Sequence, residues 1–483
     1  MGYMSKDLLT IHNAILKGEV TPLDLVKEAL NLAKNDDNNS FEYICEEEAL
    51  KQVVSLDESK KNNLLYGVPV VIKDNFSTKD IPTTASSNIL NGYVPVFDSE
   101  VVSRLVNEGA IVIAKSTMDE LAMGGSGTTG HKGITYNPWD KTKTHLVGGS
   151  SCGSASAVAA GIVPFALGSD TGDSVRKPAS FAGLVGIKPT WGRISRFGLF
   201  PFATSLDHVG YFTRTVYDSA YSLNILAGHD EKDFSSSYKV VEDYTKHLDD
   251  SIKGKKIAVI NGIINSINDK DVLESFNKSL SYLKEQGAII DYVDIDVKLL
   301  KAIYPTYIII SCAEATSNNA NLDGIKFGNR IEGESFEEVM MNTRTNGFSP
   351  LIKRRFVIGS YSLLKENQDE LFVRAQKCRR MIVNAFNKVL EQYDAIYCPA
   401  APSNAPLIKG SSDALSDEYL IADNFMAFAN MGGFPSITLP IGFKDDLPLG
   451  GNLTSAIFTE SKLFNIANYI EKGTGLKGLV KKD

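Results

Sequence analysis

With 483 residues, 43% of them hydrophobic and 22% charged, the chain has the balance of an ordinary globular protein and ample material for a core. A net charge of −8 makes the molecule as a whole a poor ligand for nucleic acid, which is bound chiefly through clustered cations. The five cysteines, Cys45, Cys152, Cys312, Cys378 and Cys398, are odd in number and never spaced C-x-x-C. That argues against a disulfide framework or a cysteine-built zinc site, and for reduced thiols in a cytoplasm.

The N-terminal stretch "MGYMSKDLLTIHNAILKGE" carries charges too early and too often for a signal peptide. In "TPLDLVKEALNLAKN", Thr21 is a natural N-cap and Pro22 suits the first helical position. Leu23, Val26, Leu30 and Leu32 then fall on roughly one face, and helices are expected over about 1–60. Short β-branched runs follow at "GVPVVIKD" (67–74), "AIVIAKS" (110–116) and "KIAVING" (256–262), with a helical pattern in "DSEVVSRLVNEGA". Such alternation favours an α/β protein with a largely buried sheet. The most polar region, 228–256, reads as a boundary or surface insertion. Leu371, Ala375, Cys378, Ile382, Ala385 and Val389 repeat at steps of three and four, which predicts a long amphipathic helix. "DAIYCPA" (394–400) and "SITLPIG" (436–442) look like late strands. No segment offers about 20 consecutive strongly apolar residues, so no membrane span is expected. At about 150 residues per domain the length suggests three domains, yet no Pro/Gly/Ser-rich linker separates three.

Between His145 and Asp170 the chain carries no charge and is crowded with Gly, Ser and Ala, then turns abruptly polar at "SDTGDSVRK". A phosphate-binding P-loop needs a lysine beside its glycines, and "GGSSCGSA" has none. The spacing of a dinucleotide fingerprint is also absent. "SASAVAAGIVPFALG" is too apolar for a linker, and its small residues suit a helix packed closely against other backbone. Nucleophilic catalysis is left. None of the six histidines sits in a G-x-S-x-G elbow, and His208 in "SLDHVG" suits a structural role. A serine can instead be activated by a neutral lysine. "SDTGDS" offers a Gly-rich turn ending in Ser174, where backbone N–H groups can face an oxyanion.

These residues resemble the amidase signature family. Its pattern pairs G-G-S-S-G-G with a downstream D-x-G-G-S-[IV]-R, matched by "GGSSCGSASAVAAG" and "GSDTGDSVRKPASFAGLVGIKPTWGRISRFGL". Ser150 and Ser174 stand 24 positions apart, as that pattern requires. The family's lysine strand, G-[IV]-P-[VI]-x-[VI]-K-D, is matched by "GVPVVIKDNF" and points to Lys73. "STMDELAMGGSG", "GRISRFGLFPFATSLDHVGYFTRTVYDSA", "AEATSNNANLDGIKFG" and "NGFSPLIKRRFVIGSY" extend the likeness over nearly the whole chain. They are most similar to one branch of the family, the A subunits of glutamyl-tRNA(Gln)/aspartyl-tRNA(Asn) amidotransferases. The resemblance implies a single α/β domain over residues 1–483, with a mixed β-sheet core flanked by helices, and overrides the length-based count.

It also implies roles. Ser174 becomes the acyl-accepting nucleophile. Ser150, on a cis peptide, relays its proton to Lys73. To accept a proton Lys73 must be neutral, so burial has to lower a pKa ordinarily near 10.4, and "VPVVIK" is apolar enough to bury it. Asp74 points to the strand's opposite side and suits structural hydrogen bonds. The oxyanion hole comes from the backbone N–H groups of Thr171, Gly172, Asp173 and Ser174. Asp173 and Cys152 stand where the family pattern has glycine. Asp tolerates positive φ, its carboxylate is expected to point away from the oxyanion, and Cys152 suits small-residue packing. Glutamine is the implied substrate, with Arg355 (or Arg354) for its carboxylate, Asp423 for its ammonium and Tyr307 lining the pocket.

The implied partners are a small bridging subunit together with a larger one that binds tRNA and uses ATP. ATP and Mg belong to that larger partner, through which alone tRNA is met. No cofactor, metal or membrane is expected for this chain, and its place is the cytoplasm. Two rivals stand beside this expectation. One is a stand-alone amidase acting on small amides, which would lack the glutamine selectivity of Arg355 and Asp423. The other is a catalytically dead scaffold, suggested by Asp173 and Cys152.

Overall fold

The computed structural model describes residues 2–409, 416 and 418–481. Its strands, in chain order, are β1 (Phe41–Ile44), β2 (Pro69–Lys73), β3 (Ile111–Ser116), β4 (Phe165–Asp170), β5 (Val185–Lys188) and β6 (His208–Thr213). After these come β7 (Lys256–Ile260), β8 (Ile289–Val293), β9 (Ala395–Pro399), β10 (Ser436–Lys444) and β11 (Leu447–Thr454). Among the described residues they form one 11-stranded sheet in the order β1-β3-β2-β4-β6-β5-β10-β11-β9-β7-β8. The sheet is mixed. β2 runs parallel to both β3 and β4, and β7 parallel to β8 and β9, while the remaining pairings are antiparallel. β2, β3 and β4 are buried at every residue, so they appear in the sequence as continuous apolar runs rather than alternating ones.

Thr21 caps the helix Pro22–Lys34 and shares a capping box with Asp24. Its buried face is Leu25, Val26, Ala29, Leu30 and Ala33. Leu23 lies off that face and Leu32 is only partly covered, because the rows at four-residue spacing pass through 25-29-33 and 26-30. The first 60 residues are not helical throughout: β1 pairs antiparallel with β3 and begins the sheet. The small-residue stretch is also divided. Its helix covers only Cys152–Ala159, the chain turns at Gly161 (φ +72°), and the next apolar run is β4. The polar region 228–256 holds no helix or strand before β7, but it is anchored by buried Tyr244, Leu248 and Ile252. The late amphipathic helix is Arg374–Leu390, entered through a π-turn at Asp369–Val373. Phe386 adds to its core face and stacks on Phe428 at 3.7 Å between ring centres.

Two large apolar clusters hold the sheet. One joins the N-terminal helices to β2, β3, β4 and the C-terminal helix Glu460–Thr474, and the other gathers Phe202, Ile303, Ile310, Phe356, Phe386 and Phe428. The loop after β4 lies where they meet. Val175 belongs to the first cluster, and Arg176 reaches the carbonyl of Met426 in the second. Among the described residues no helix is long and apolar enough to cross a membrane.

Candidate active site

The C-terminal end of β2 delivers Lys73 into the interior with no exposed surface. Its Nζ lies 2.8 Å from Ser150 Oγ, 2.9 Å from Ser151 Oγ, 2.9 Å from Ser169 Oγ and 3.3 Å from the Ser169 carbonyl oxygen. All four neighbours are uncharged. Burial lowers the Lys73 pKa to about 7, and Asp119, Asp170 and Asp207 pull it upward only from a distance. Near neutrality a large share of Lys73 is therefore the free amine, able to take a proton from a hydroxyl. Asp74, the next residue, faces the other side of the strand and meets Lys115 and Thr84.

The Gly149–Ser150 peptide is cis. The loop before it is organised by Asp119, whose carboxylate accepts the backbone N–H groups of Ser126, Gly127, Thr128 and Thr129. The Asp119 N–H donates to the Ser150 carbonyl at 3.1 Å. A side chain at Gly149 is excluded here, since its Cβ would stand 1.9 Å from Asp119 Oδ2.

From β4 the chain enters the turn 171–174 and then the helix Arg176–Ala182. A fully buried ion pair fixes this turn. Arg176 donates to Asp170 through Nε (3.1 Å) and Nη2 (2.9 Å), and to the Gly172 carbonyl at 2.7 Å. Asn430 Nδ2 donates to the Asp170 carbonyl and carboxylate at 3.0 and 2.9 Å. Burial alone pushes the Asp170 carboxyl up, but Arg176 and Asn430 outweigh it and hold the group well below the usual carboxylate range. With the carbonyl side of the turn tied down, the N–H groups of Thr171, Gly172, Asp173 and Ser174 have no acceptor among the described residues. Four unpaired donors beside a serine can receive an oxyanion. Ser174 is 4% exposed.

Asp173 does not take positive φ, so the tolerance expected of an aspartate at a glycine position is not called upon. Its carboxylate lies 3.9 Å from Lys177 Nζ, one helical turn on. Lys177 also donates to Asp423 Oδ1 at 2.8 Å, which brings Asp423 to the edge of the same turn. Tyr307, from the helix Val297–Asn318, covers Gly172 so closely that a Cβ there would meet its ring at 3.0 Å. Arg355, in the helix Pro350–Leu363, lies beside Tyr307 and Cys312, and its guanidinium carbon sits 5.7 Å from the centre of the Phe202 ring. Its Nε and Nη1 are buried with no hydrogen-bond partner among the described residues. Arg354 is exposed on another face of that helix.

Cys152 is buried at the start of its helix, and burial pushes its thiol to about 12. His208 is buried in β6 with Nδ1 2.7 Å from the Leu206 carbonyl, and burial drives its pKa far down. Sequence reasoning missed Ser169, Asn75, Asp119, Asp207 and Asn430. Asn75 donates to Ser169 Oγ at 3.0 Å and Asp207 accepts from Thr171 Oγ1 at 2.7 Å. Asn75 stands two residues from Lys73 and was within reach of a motif argument, whereas Asn430 gave no local signal. Among the described residues no group of three or more His, Cys, Asp or Glu is placed to hold a metal ion.

The amidase family model matches residues 24–464. The A subunit of the glutamyl-tRNA(Gln) amidotransferase of Pediococcus pentosaceus is 40% identical over 479 residues, covering 98% of both chains. Among solved structures, the A subunit of the glutamyl-tRNA(Gln) amidotransferase of Thermotoga maritima aligns at 36% identity with a TM-score of 0.80, covering 98% of this chain and 95% of that one. An amidase family protein of Bacillus anthracis aligns at 27% identity with a TM-score of 0.79, covering 99% of this chain and 92% of its own.

Proposed function

The chain belongs to the amidase family, and from that premise we propose that it is the glutamine-hydrolysing subunit of a tRNA-dependent amidotransferase. The observation that carries this is Lys73, wholly buried among uncharged groups and 2.8 Å from Ser150 Oγ, with the adjacent Ser151 N–H bonded at 3.2 Å to the Ser174 carbonyl of a turn that has four unpaired N–H groups. Neutral Lys73 draws the proton of Ser150 as Ser150 draws that of Ser174. Ser174 Oγ attacks the side-chain amide carbon of glutamine, and the new oxyanion settles on the N–H groups of Thr171, Gly172, Asp173 and Ser174. The same relay returns a proton to the amide nitrogen as the C–N bond breaks, releasing ammonia and leaving a glutamyl ester on Ser174. Water, deprotonated along the same path, then releases glutamate.

The unpaired donors of Arg355 suit the substrate's α-carboxylate, which arginine can hold through two parallel hydrogen bonds. Asp423 supplies negative charge for the ammonium, and Tyr307 lines the space beside Gly172. The ammonia passes to a larger subunit that binds tRNA and uses ATP and Mg, with a small subunit bridging the two. The product is amidated Glu-tRNA(Gln), or its Asp-tRNA(Asn) counterpart, made in the cytoplasm.

The test is glutamate release by the purified chain alone and after stepwise addition of its partner proteins, ATP and charged tRNA. The expected result is slow turnover alone and a large gain with partners, as loops around Ser174 become ordered. Full activity alone, with equal turnover of acetamide, would favour a stand-alone amidase.

A further inference from the structure

At the edge of the nucleophile turn, one lysine serves two carboxylates. Lys177, nearly buried, is 2.8 Å from Asp423 Oδ1 and 3.9 Å from Asp173 Oδ2. The two acidic side chains keep 35% and 25% of their surface exposed, so both remain approachable. Behind them the Asp170–Arg176 pair is closed upon itself. The cluster of Asp173, Lys177 and Asp423 thus holds one negative charge in excess. Asp423 is engaged by its lysine at hydrogen-bond distance, so the excess resides mainly on Asp173. We propose that Asp173 is a specificity-determining residue that, with Asp423, forms an anionic subsite for the substrate's α-ammonium, Lys177 holding the two carboxylates together.

The surroundings fit a cation. Tyr307 and Tyr419 both lie within the electrostatic reach of Asp173, and Tyr304 meets Tyr419 edge to face at 5.1 Å between ring centres. Tyrosine faces and carboxylates together bind ammonium groups well. Tyr307 also feels Arg355, whose Nε and Nη1 have no hydrogen-bond partner among the described residues, so one ring neighbours both a cation and an excess anion. That pairing complements the two charges of an α-amino acid. Burial raises the Asp173 carboxyl to about 6 despite the opposing charge of Lys177.

This inference rests on the glutaminase reading, and the experiment separates the two. The protein is purified with the partner proteins that accompany it in its host, as wild type, Asp173→Asn and Asp173→Gly. KM is measured for glutamine, and the competitive inhibition constant for glutaramate, which is glutamine without its α-amino group. Both variants should raise the glutamine KM about tenfold, the scale of one lost charged hydrogen bond, and leave the glutaramate constant unchanged. An unchanged glutamine KM, or an equal shift in both constants, overturns the proposal and leaves glutamine hydrolysis standing. A wild-type complex that releases no glutamate overturns the glutaminase reading itself, before any variant is made.

Discussion

Lys73 and Lys115 lie on neighbouring parallel strands, both without exposed surface, and their surroundings are opposite. Lys115 Nζ is 3.3 Å from Asp74 Oδ1, 2.6 Å from Thr83 Oγ1 and 3.0 Å from the Phe76 carbonyl. Lys73 meets only hydroxyls and one carbonyl. Burial lowers both pKa values, but a contacting carboxylate pulls Lys115 back while only remote ones act on Lys73. The end of one strand makes the difference: Lys73 closes β2 and Asp74, the next residue, faces the other way, so the two go to different environments. Burial alone does not make a lysine a base. Lys73 combines burial with serine hydroxyls at 2.8–2.9 Å and no contacting carboxylate, whereas the equally buried Lys188 meets only backbone carbonyls.

The widest separation should appear on removing each lysine. Lys73→Met should reduce glutaminase activity by about a thousandfold or more, within the range for lost proton transfer, without loss of stability. Lys73→Arg should not rescue it, because a guanidinium keeps its proton. Lys115→Met leaves Asp74 buried and uncompensated and should destabilise the fold by about 3–5 kcal/mol, while sparing turnover per folded molecule. Steady-state assays and urea unfolding of both variants read this directly, and equal behaviour would erase the distinction.

Between Ser174 and Ser151 the contrast should be nearly as large. Ser174→Ala should abolish the glutamyl adduct seen by mass spectrometry, whereas Ser151→Ala should still form it. An adduct on the Ser174→Ala protein would place the nucleophile elsewhere.

Burial lowers both lysines, so both link stability to pH in the same direction. Lys73 titrates near 7 when folded and near 10.5 when unfolded. Below pH 7 both states hold the proton and the fold bears the full penalty of a buried charge. Between about 7 and 10.5 the unfolded chain binds more protons, so stability should rise with pH across that window. Urea midpoints for wild type and Lys73→Met should show this contribution in the first and its loss in the second.

Smaller effects lie farther from Lys73. Arg355→Ala should raise the glutamine KM by roughly 10- to 100-fold, as for a lost charged hydrogen bond, with Arg354→Ala near wild type. At Cys152, whose thiol is neutral and buried, Cys152→Gly should retain activity, and thiol reagents should label the native protein there only slowly.

The strand that carries Lys73 was legible because β2 is buried on both faces and must be apolar up to Lys73. The turn was legible because backbone donors and small residues need close spacing along the chain. The division of 147–170 into a short helix and a strand was not, since a run of small apolar residues satisfies both periods. Ser169 and Asn430 reach the site from 96 and 260 residues away from Lys73 and Asp170 respectively, through sheet pairing and helix packing that no local pattern encodes. Arg355 and Arg354 are adjacent and chemically equivalent in sequence, and only helix orientation distinguishes the half-buried one from the exposed one.

The central claim is that neutral Lys73 activates Ser174. Its most direct test is the rate of covalent labelling by a fluorophosphonate as a function of pH, with the labelled residue identified by mass spectrometry in wild type, Lys73→Met and Lys115→Met. The account predicts label on Ser174 alone, at a rate rising through one ionisation near 7 in wild type and Lys115→Met, with almost none in Lys73→Met. Wild-type labelling of the Lys73→Met protein, or a rate indifferent to pH between 5 and 9 (about two units either side of that ionisation), would contradict it.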